Sequence, residues 1–289
     1  MVAKKTKEQP SLRAQWLGRD LRKRRTDLKL KIAEVATYLA RDDGTISRYE
    51  SGDYRIPEND LRNMLDRYDI TDPTEFAYFV QLNEEVRQRG WWDGFKKHLG
   101  SAFADYVWLE SNAVSMSAFC LAVPNGLLQT PEVVHELIGR GPQSGNPEQV
   151  KSLVQARTLR AEVLRKRDRH FRFLLHEAAL SVQIGDERTM AGQYEHYLTV
   201  SELEQVELRV LPAAVNRHIG MGITTGFTNF ELADPMPDVT CTETASGAIF
   251  KESPDTEVFE QAFDSMWNVD ALGPKDSMEY ITKLKDVPK

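Results

Sequence analysis

The chain has 289 residues, 28% charged and 41% hydrophobic, enough for two domains with at least one large core. A net charge of -7 excludes a protein coated in positive charge for nucleic acid, and two cysteines, Cys120 and Cys241, set in apolar surroundings fit a reduced cytoplasmic protein. The charged segment Met1 to Pro10 lacks the apolar run of a secretion signal, and the most apolar stretch, Met116 to Val123, falls short of the ~20 residues of a membrane span, so neither export nor membrane insertion is expected.

The charge is unevenly spread. Residues 1–70 carry 16 Lys+Arg against 12 Asp+Glu, a net of +4, which leaves 21 against 32, or -11, for the remaining 219. A flexible basic segment is expected over residues 1–11, and the run Arg22-Lys23-Arg24-Arg25 closes a predicted helix, as a solvated helix end also would. That first helix is predicted over Leu12 to Asp27, with Leu17, Leu21 and Leu28 inward. Behind Lys31, the residues Ile32, Val35, Ala36 and Leu39 repeat at the spacing of a buried helical stripe. A third helix begins near Asp42 and centres on Thr45-Ile46-Ser47-Arg48-Tyr49-Glu50-Ser51-Gly52, with Ile46 and Tyr49 facing inward and Gly52 able to take a left-handed stop. Pro57 precedes a helix from about Asn59 to Tyr68, and Asp72-Pro73 resets the chain, which delimits a domain over residues 12–71. A helix from Pro73 to Arg89 carries Phe76, Phe79, Val80, Leu82 and Val86 and reads as a connector over residues 72–90, its apolar face to be covered by a second domain or a second copy.

Residues 91–289 change to mixed helix and strand. Thr130-Pro131-Glu132 and Asn146-Pro147-Glu148 each start a helix with a capping side chain and a proline at the first position, the second running as a long charged helix to about Asp168. Phe171 to His176 and Glu207 to Leu211 read as short strands around a helix from Met190 to Leu203. Gly226 to Leu232, Val239 to Thr244 and Ala248 to Lys251 alternate as strands of a small antiparallel sheet, and helices over Thr256 to Asn268 and Pro274 to Leu284 close the chain.

Two short helices in tandem, the second ending Glu-Ser-Gly, point to DNA, because the start of such a second helix can enter the major groove, where each base pair shows a distinct pattern of donors and acceptors. With Ile46 and Tyr49 inward, the groove-facing positions are Asp43, Gly44, Thr45 and Arg48. Arg48 is the leading base reader, since a guanidinium can make two hydrogen bonds to guanine; the alternative is a phosphate contact alone. Lys31, Arg41, Ser47 and Arg55 flank this surface as phosphate contacts.

On these residues the segment resembles the XRE class of phage-repressor-type regulators, which implies an all-α domain of five short helices like that of lambda repressor. The resemblance also implies a buried ion pair between Arg25, late in the first helix, and Glu50, after the recognition helix. Asp42-Asp43 stands where the class commonly has a glutamine. Further on, Gly90-Trp91-Trp92, Trp108-Leu109-Glu110-Ser111, Val123 to Thr130, Glu177 to Leu180 and Val210-Leu211-Pro212 occur in matching order in WhiJ-like actinobacterial regulators, to which nearly the whole chain is similar. That family, of antitoxin-like regulators, implies a C-terminal domain of unknown function of the DUF5753 type and a small acidic partner protein encoded nearby. Asn125 interrupts the usual Pro-Gly-Leu-Leu-Gln, and Cys241 stands where an aromatic is frequent.

The second half offers no catalytic constellation. His176-Glu177 begins like a zinc-protease helix, but position 180 is leucine where the second histidine belongs, and Gly220-Met221-Gly222 precedes strand-like residues instead of a helix. No enzyme, cofactor or metal is expected. Trp91, Trp92, Trp108 and Phe95 are either core or the lining of a pocket, and Arg157, Arg160, Arg165, Lys166, Arg167 and Arg169 form either a solvated helix face or a receiver for an acidic partner, with Arg157 and Arg160 leading. The expected whole is an α+β, cytoplasmic, homodimeric, sequence-specific regulator of transcription binding double-stranded DNA. The alternatives are an antitoxin-like protein that mainly binds its partner and a sensor of a small ligand.

Overall fold

The computed structural model describes residues 10–87, 90–140, 146–215, 217–244 and 247–286; the basic segment expected over residues 1–11 lies outside them up to residue 9. The chain divides into two compact units, Met1–Lys96 with Gly100–Asp105, and Lys97–Leu99 with Tyr106–Lys289.

The first unit is helical: α1 (Leu12–Asp27), α2 (Ile32–Leu39), α3 (Asp43–Glu50), α4 (Glu58–Arg67) and α5 (Pro73–Arg87). Short capping side chains start three of them: Ser11 accepts from Ala14 N at α1, Asp42 from Thr45 N at α3, and Asp72 from Glu75 N at α5. Left-handed residues Lys29 and Ala40 turn the chain between the first three. Trp16, Leu17, Leu21, Val35, Ile46, Leu61, Met64 and Leu65 are buried together as the core. Leu28, expected inward, is 46% exposed, because it is the cap residue beyond the last turn of α1 and the stripe has already ended. Phe79 and Leu82 of α5 are buried in the first unit, where α5 packs on α1, and Tyr78 Oη fastens the pair by donating to Asp20 (2.6 Å).

The second unit contains most of α6 (Lys96–Asn112), then β1 (Ser115–Cys120), α7 (Pro131–Gly139), α8 (Pro147–Arg160), β2 (His170–His176), α9 (Glu177–Ser181), α10 (Glu187–Val200), β3 (Val206–Leu211), α11 (Arg217–Gly220), β4 (Phe227–Glu231), β5 (Val239–Thr244), β6 (Gly247–Glu252), α12 (Glu257–Ser265) and α13 (Pro274–Asp286). Here the expectation of a small antiparallel sheet is corrected. The sheet has six strands in the order β3-β2-β1-β4-β5-β6, with β1, β2 and β3 parallel and β4, β5 and β6 antiparallel. The parallel half depends on β1, whose sequence Ser-Met-Ser-Ala-Phe-Cys has no β-branched residue to announce a strand. Helices α7 and α8, then α9 and α10, supply the crossovers that parallel neighbours require. The helix expected to reach Asp168 ends at Arg160 and tightens into a 3-10 turn over Ala161–Arg165 that buries Val163 and Leu164. Over the sheet, Phe119, Leu174, Leu211 and Phe227 pack with Phe263, Met266 and Trp267 at the end of α12.

Candidate nucleic-acid interface

The position of α3 is set from its buried side. Ile46 and Tyr49 are buried, and Gly18 of α1 lies so close that a Cβ there would stand 2.5 Å from the Glu50 carbonyl oxygen. Gly52, at a φ of 74°, ends the helix where a side chain would meet the Ala14 carbonyl at 2.7 Å. Below the helix end, Arg25 Nε donates to Glu50 Oε1 (2.5 Å) and Arg25 Nη2 to Glu50 Oε2 (2.9 Å), while Arg25 Nη1 reaches the Leu30 carbonyl (2.7 Å). The hydrogen bond to Glu50 raises the pKa of this guanidinium against the effect of its burial. A second network joins the turn before α3 to α4: Arg41 donates twice to Asp60 (2.9 and 3.1 Å), which also accepts from Tyr49 Oη (2.8 Å). Burial would raise the Asp60 pKa, but the bonds from Arg41 and Tyr49 outweigh it and hold it below the ordinary value; burial and Asp60 together push the Tyr49 phenol up to about 12.

The opposite side of α3 is open. Asp43, Ser47 and Arg48 are exposed, with Gly44 and Thr45 half-buried between them. Asp42 caps the helix and accepts from the Thr45 hydroxyl as well (2.7 Å), and these two bonds, the hydroxyl first, lower its pKa. Thr45 therefore presents its methyl group and its remaining lone pairs. The Arg48 guanidinium lies over the ring of Tyr54 (4.9 Å to the centroid) and reaches back to Gly44, where an added Cβ would come within 3.9 Å of Nη2. It forms no ion pair among the described residues. Lys31 and Arg55 are exposed on the flanks, whereas Arg41 is nearly half exposed and already committed to Asp60. Tyr54 escaped sequence reasoning; its signal was an aromatic side chain standing in the otherwise polar turn Gly52-Asp53-Tyr54-Arg55.

The residues expected to receive a partner or ligand are divided between the two units. Trp91 and Trp92 belong to the first unit, where they meet edge to face at 5.9 Å, as do Trp91 and Phe95, and Gly90 leaves the space a Cβ would need against the Trp92 ring. Trp108, Arg157 and Arg160 belong to the second. Trp108 is 1% exposed, and Arg160 is buried in a double hydrogen bond to Glu110 (2.8 and 2.6 Å). Arg165, Lys166 and Arg167 are exposed on the turn after α8. His176 caps α9 through Nδ1, which accepts from Ala178 N (3.1 Å). Among the described residues no helix is long and apolar enough to cross a membrane.

A short exposed helix, held through its buried face behind a preceding helix and carrying an arginine with no ion pair among the described residues, defines a helix-turn-helix DNA-binding unit. Residues 16–79 match the family model described as a helix-turn-helix domain, and residues 103–283 match the domain of unknown function DUF5753. The second match spans well over half of the chain, which therefore belongs to the DUF5753 family. The combination is that of an XRE-type helix-turn-helix regulator with a DUF5753 C-terminal domain. No curated protein matches the chain.

Proposed function

We propose that this DNA-binding regulator reads a specific operator with the exposed face of α3 and acts on transcription in the cytoplasm as a homodimer. Arg48 carries the reading: it is exposed, free of any carboxylate partner among the described residues, and laid toward the N-terminal end of the helix that enters the groove. Asp43, Gly44 and Thr45 complete the base-facing surface, and Lys31, Arg41, Ser47 and Arg55 contact phosphates and set the register. Selection of bound fragments from sheared genomic DNA by the full chain tests this. Enrichment of a few sites sharing a motif is the expected result, and equal retention of all fragments would sink it.

A second reading gives the C-terminal unit an acidic protein partner, with DNA contact reserved for autoregulation. It is favoured by the exposed cations Arg165, Lys166 and Arg167, which stand out in a half of the chain that carries a net -11. Reversing the charges of Arg165 and Arg167 should abolish co-purification with the small acidic protein encoded nearby; unchanged recovery counts against this reading.

A further inference from the structure

A cavity of ≈ 640 Å³ opens at the C-terminal ends of β1 and β5, beside the start of β4. This is where the parallel half of the sheet meets the antiparallel half, and crevices outside the carboxyl ends of strands at such a change of order are where α/β proteins hold ligands. Its volume lies within the ~300–1,000 Å³ usual for small-molecule sites. Ala118, Cys120 and Ile138 give it apolar walls, and α8 supplies two arginines one turn apart, Arg157 and Arg160.

The two arginines differ in what meets their charge. Arg160 is neutralised by Glu110, lies over the Tyr106 ring (5.0 Å) and occupies the space left by Gly126, where a Cβ would come within 3.2 Å of its nitrogens. Among the described residues Arg157 has one hydrogen bond, from Nη1 to Gln129 Oε1 (3.1 Å), and no carboxylate in ion-pair contact. Its surroundings are unfavourable for a cation, since burial and then the neighbouring Arg160 lower its pKa. Most of its donors are left for something that enters the cavity. The only carboxylate among the described lining residues is Glu243, exposed at the rim. One cation with no ion-pair partner among the described residues, apolar walls and a negative rim suit a single negative charge on an apolar body and oppose a multiply charged anion.

We infer that this cavity binds a small organic monocarboxylate, whose carboxylate pairs with Arg157 while its apolar body lies against Ala118, Cys120 and Ile138. The DUF5753 unit would then be a metabolite receptor. This deepens the reading of the chain as a regulator, but the binding is measured without DNA and stands or falls separately. The full chain is titrated with hexanoate and phenylacetate, with hexylammonium and inorganic phosphate as comparisons, by thermal shift and calorimetry.

At least one of the two carboxylates should bind saturably, with hexylammonium inert and phosphate weaker. Arg157→Gln should weaken binding about tenfold to a hundredfold, as loss of a charge-assisted hydrogen bond does, without lowering the Tm of the unliganded protein, since it removes an unmatched cation. Glu243→Gln should tighten binding. No saturable shift with either carboxylate, binding that survives Arg157→Gln, or phosphate binding better than both carboxylates would overturn the inference. A chain that binds the carboxylate with unchanged DNA affinity keeps the site and loses only its regulatory consequence.

Discussion

Arg48 and Arg55 are both exposed cations within one short segment, yet their surroundings assign them different work. Arg48 is held against Tyr54 and directed along α3, so its fork has a fixed direction from which to meet a base edge; Arg55 sits beyond the helix. Arg48→Ala should therefore remove ~1–3 kcal/mol of discrimination between the operator and a variant changed at one base pair, measured by anisotropy titrations of both duplexes. Arg55→Ala should weaken binding to every duplex alike and lower the slope of log K against log salt by about 1. Equal losses on all sequences from both changes would contradict these roles. Replacing Glu50 with Ala leaves Arg25 buried with its charge unmatched, and the unfolding transition of the first unit should lose ~3–5 kcal/mol in denaturant melts. The surface of α3 was legible in the sequence because Ile46 and Tyr49 fix which side faces inward. The stacking of Arg48 on Tyr54 was not, since it arises where the chain doubles back after Gly52.

At the scale of elements, the capped start of α3 and its close crossing with α1 set the recognition helix in place. Asp42 and Asp60, both holding pKa values below the ordinary carboxylate value, contribute stability that is present above the unfolded value of about 3.9 and lost as pH falls through their lower folded values. Helicity of the first unit should accordingly persist through neutral pH and fall under acid conditions below about pH 4, and Asp60→Asn should flatten that acid limb in melts followed by circular dichroism. An acid limb identical in the variant would show that Asp60 contributes nothing to it. Gly18→Ala places a methyl group against the Glu50 carbonyl and should destabilise the same unit by ~1–3 kcal/mol. Helix starts are legible where a short polar side chain is followed by a proline, as at Thr130 and Asn146, whereas α10 begins at Glu187, three residues before the expected Met190, behind the cap Asp186 that no proline follows. The sheet was half-readable for a related reason. Strands such as β5 alternate and are rich in threonine, but β1 is buried along most of its length and has neither alternation nor branching, so nothing in its sequence announces the centre of the sheet. The motif Val123 to Thr130 carries no role that its sequence alone announces. Its Asn125 bonds Tyr106, its Gln129 bonds Arg157, and its Gly126 gives Arg160 room, which makes it one wall of the cavity.

For the whole molecule, the division of charge shapes how it meets DNA. The first 70 residues carry +4 and the rest -11, so attraction is confined to the N-terminal part of the chain while the remainder repels a polyanion. A single unit, offering Lys31 and Arg55 as phosphate cations not already committed to a carboxylate, should release counterions from about two phosphates and give a salt slope of about -1.8. That is weak anchoring for a regulator at physiological salt, and one short helix reads too few base pairs to find a unique site. Two copies related by a two-fold axis solve both problems, provided that their recognition helices fall about 34 Å apart on one face of the duplex. Inserting about 5 base pairs between the half-sites turns one of them to the far side of the helix, so affinity and salt slope should both drop to the values measured on an isolated half-site. Inserting about 10 restores the facing and should recover part of the loss. A steep slope that is indifferent to the insertion would mean that each chain binds alone, and the symmetric arrangement would then have to be abandoned even with the base-reading role of Arg48 intact.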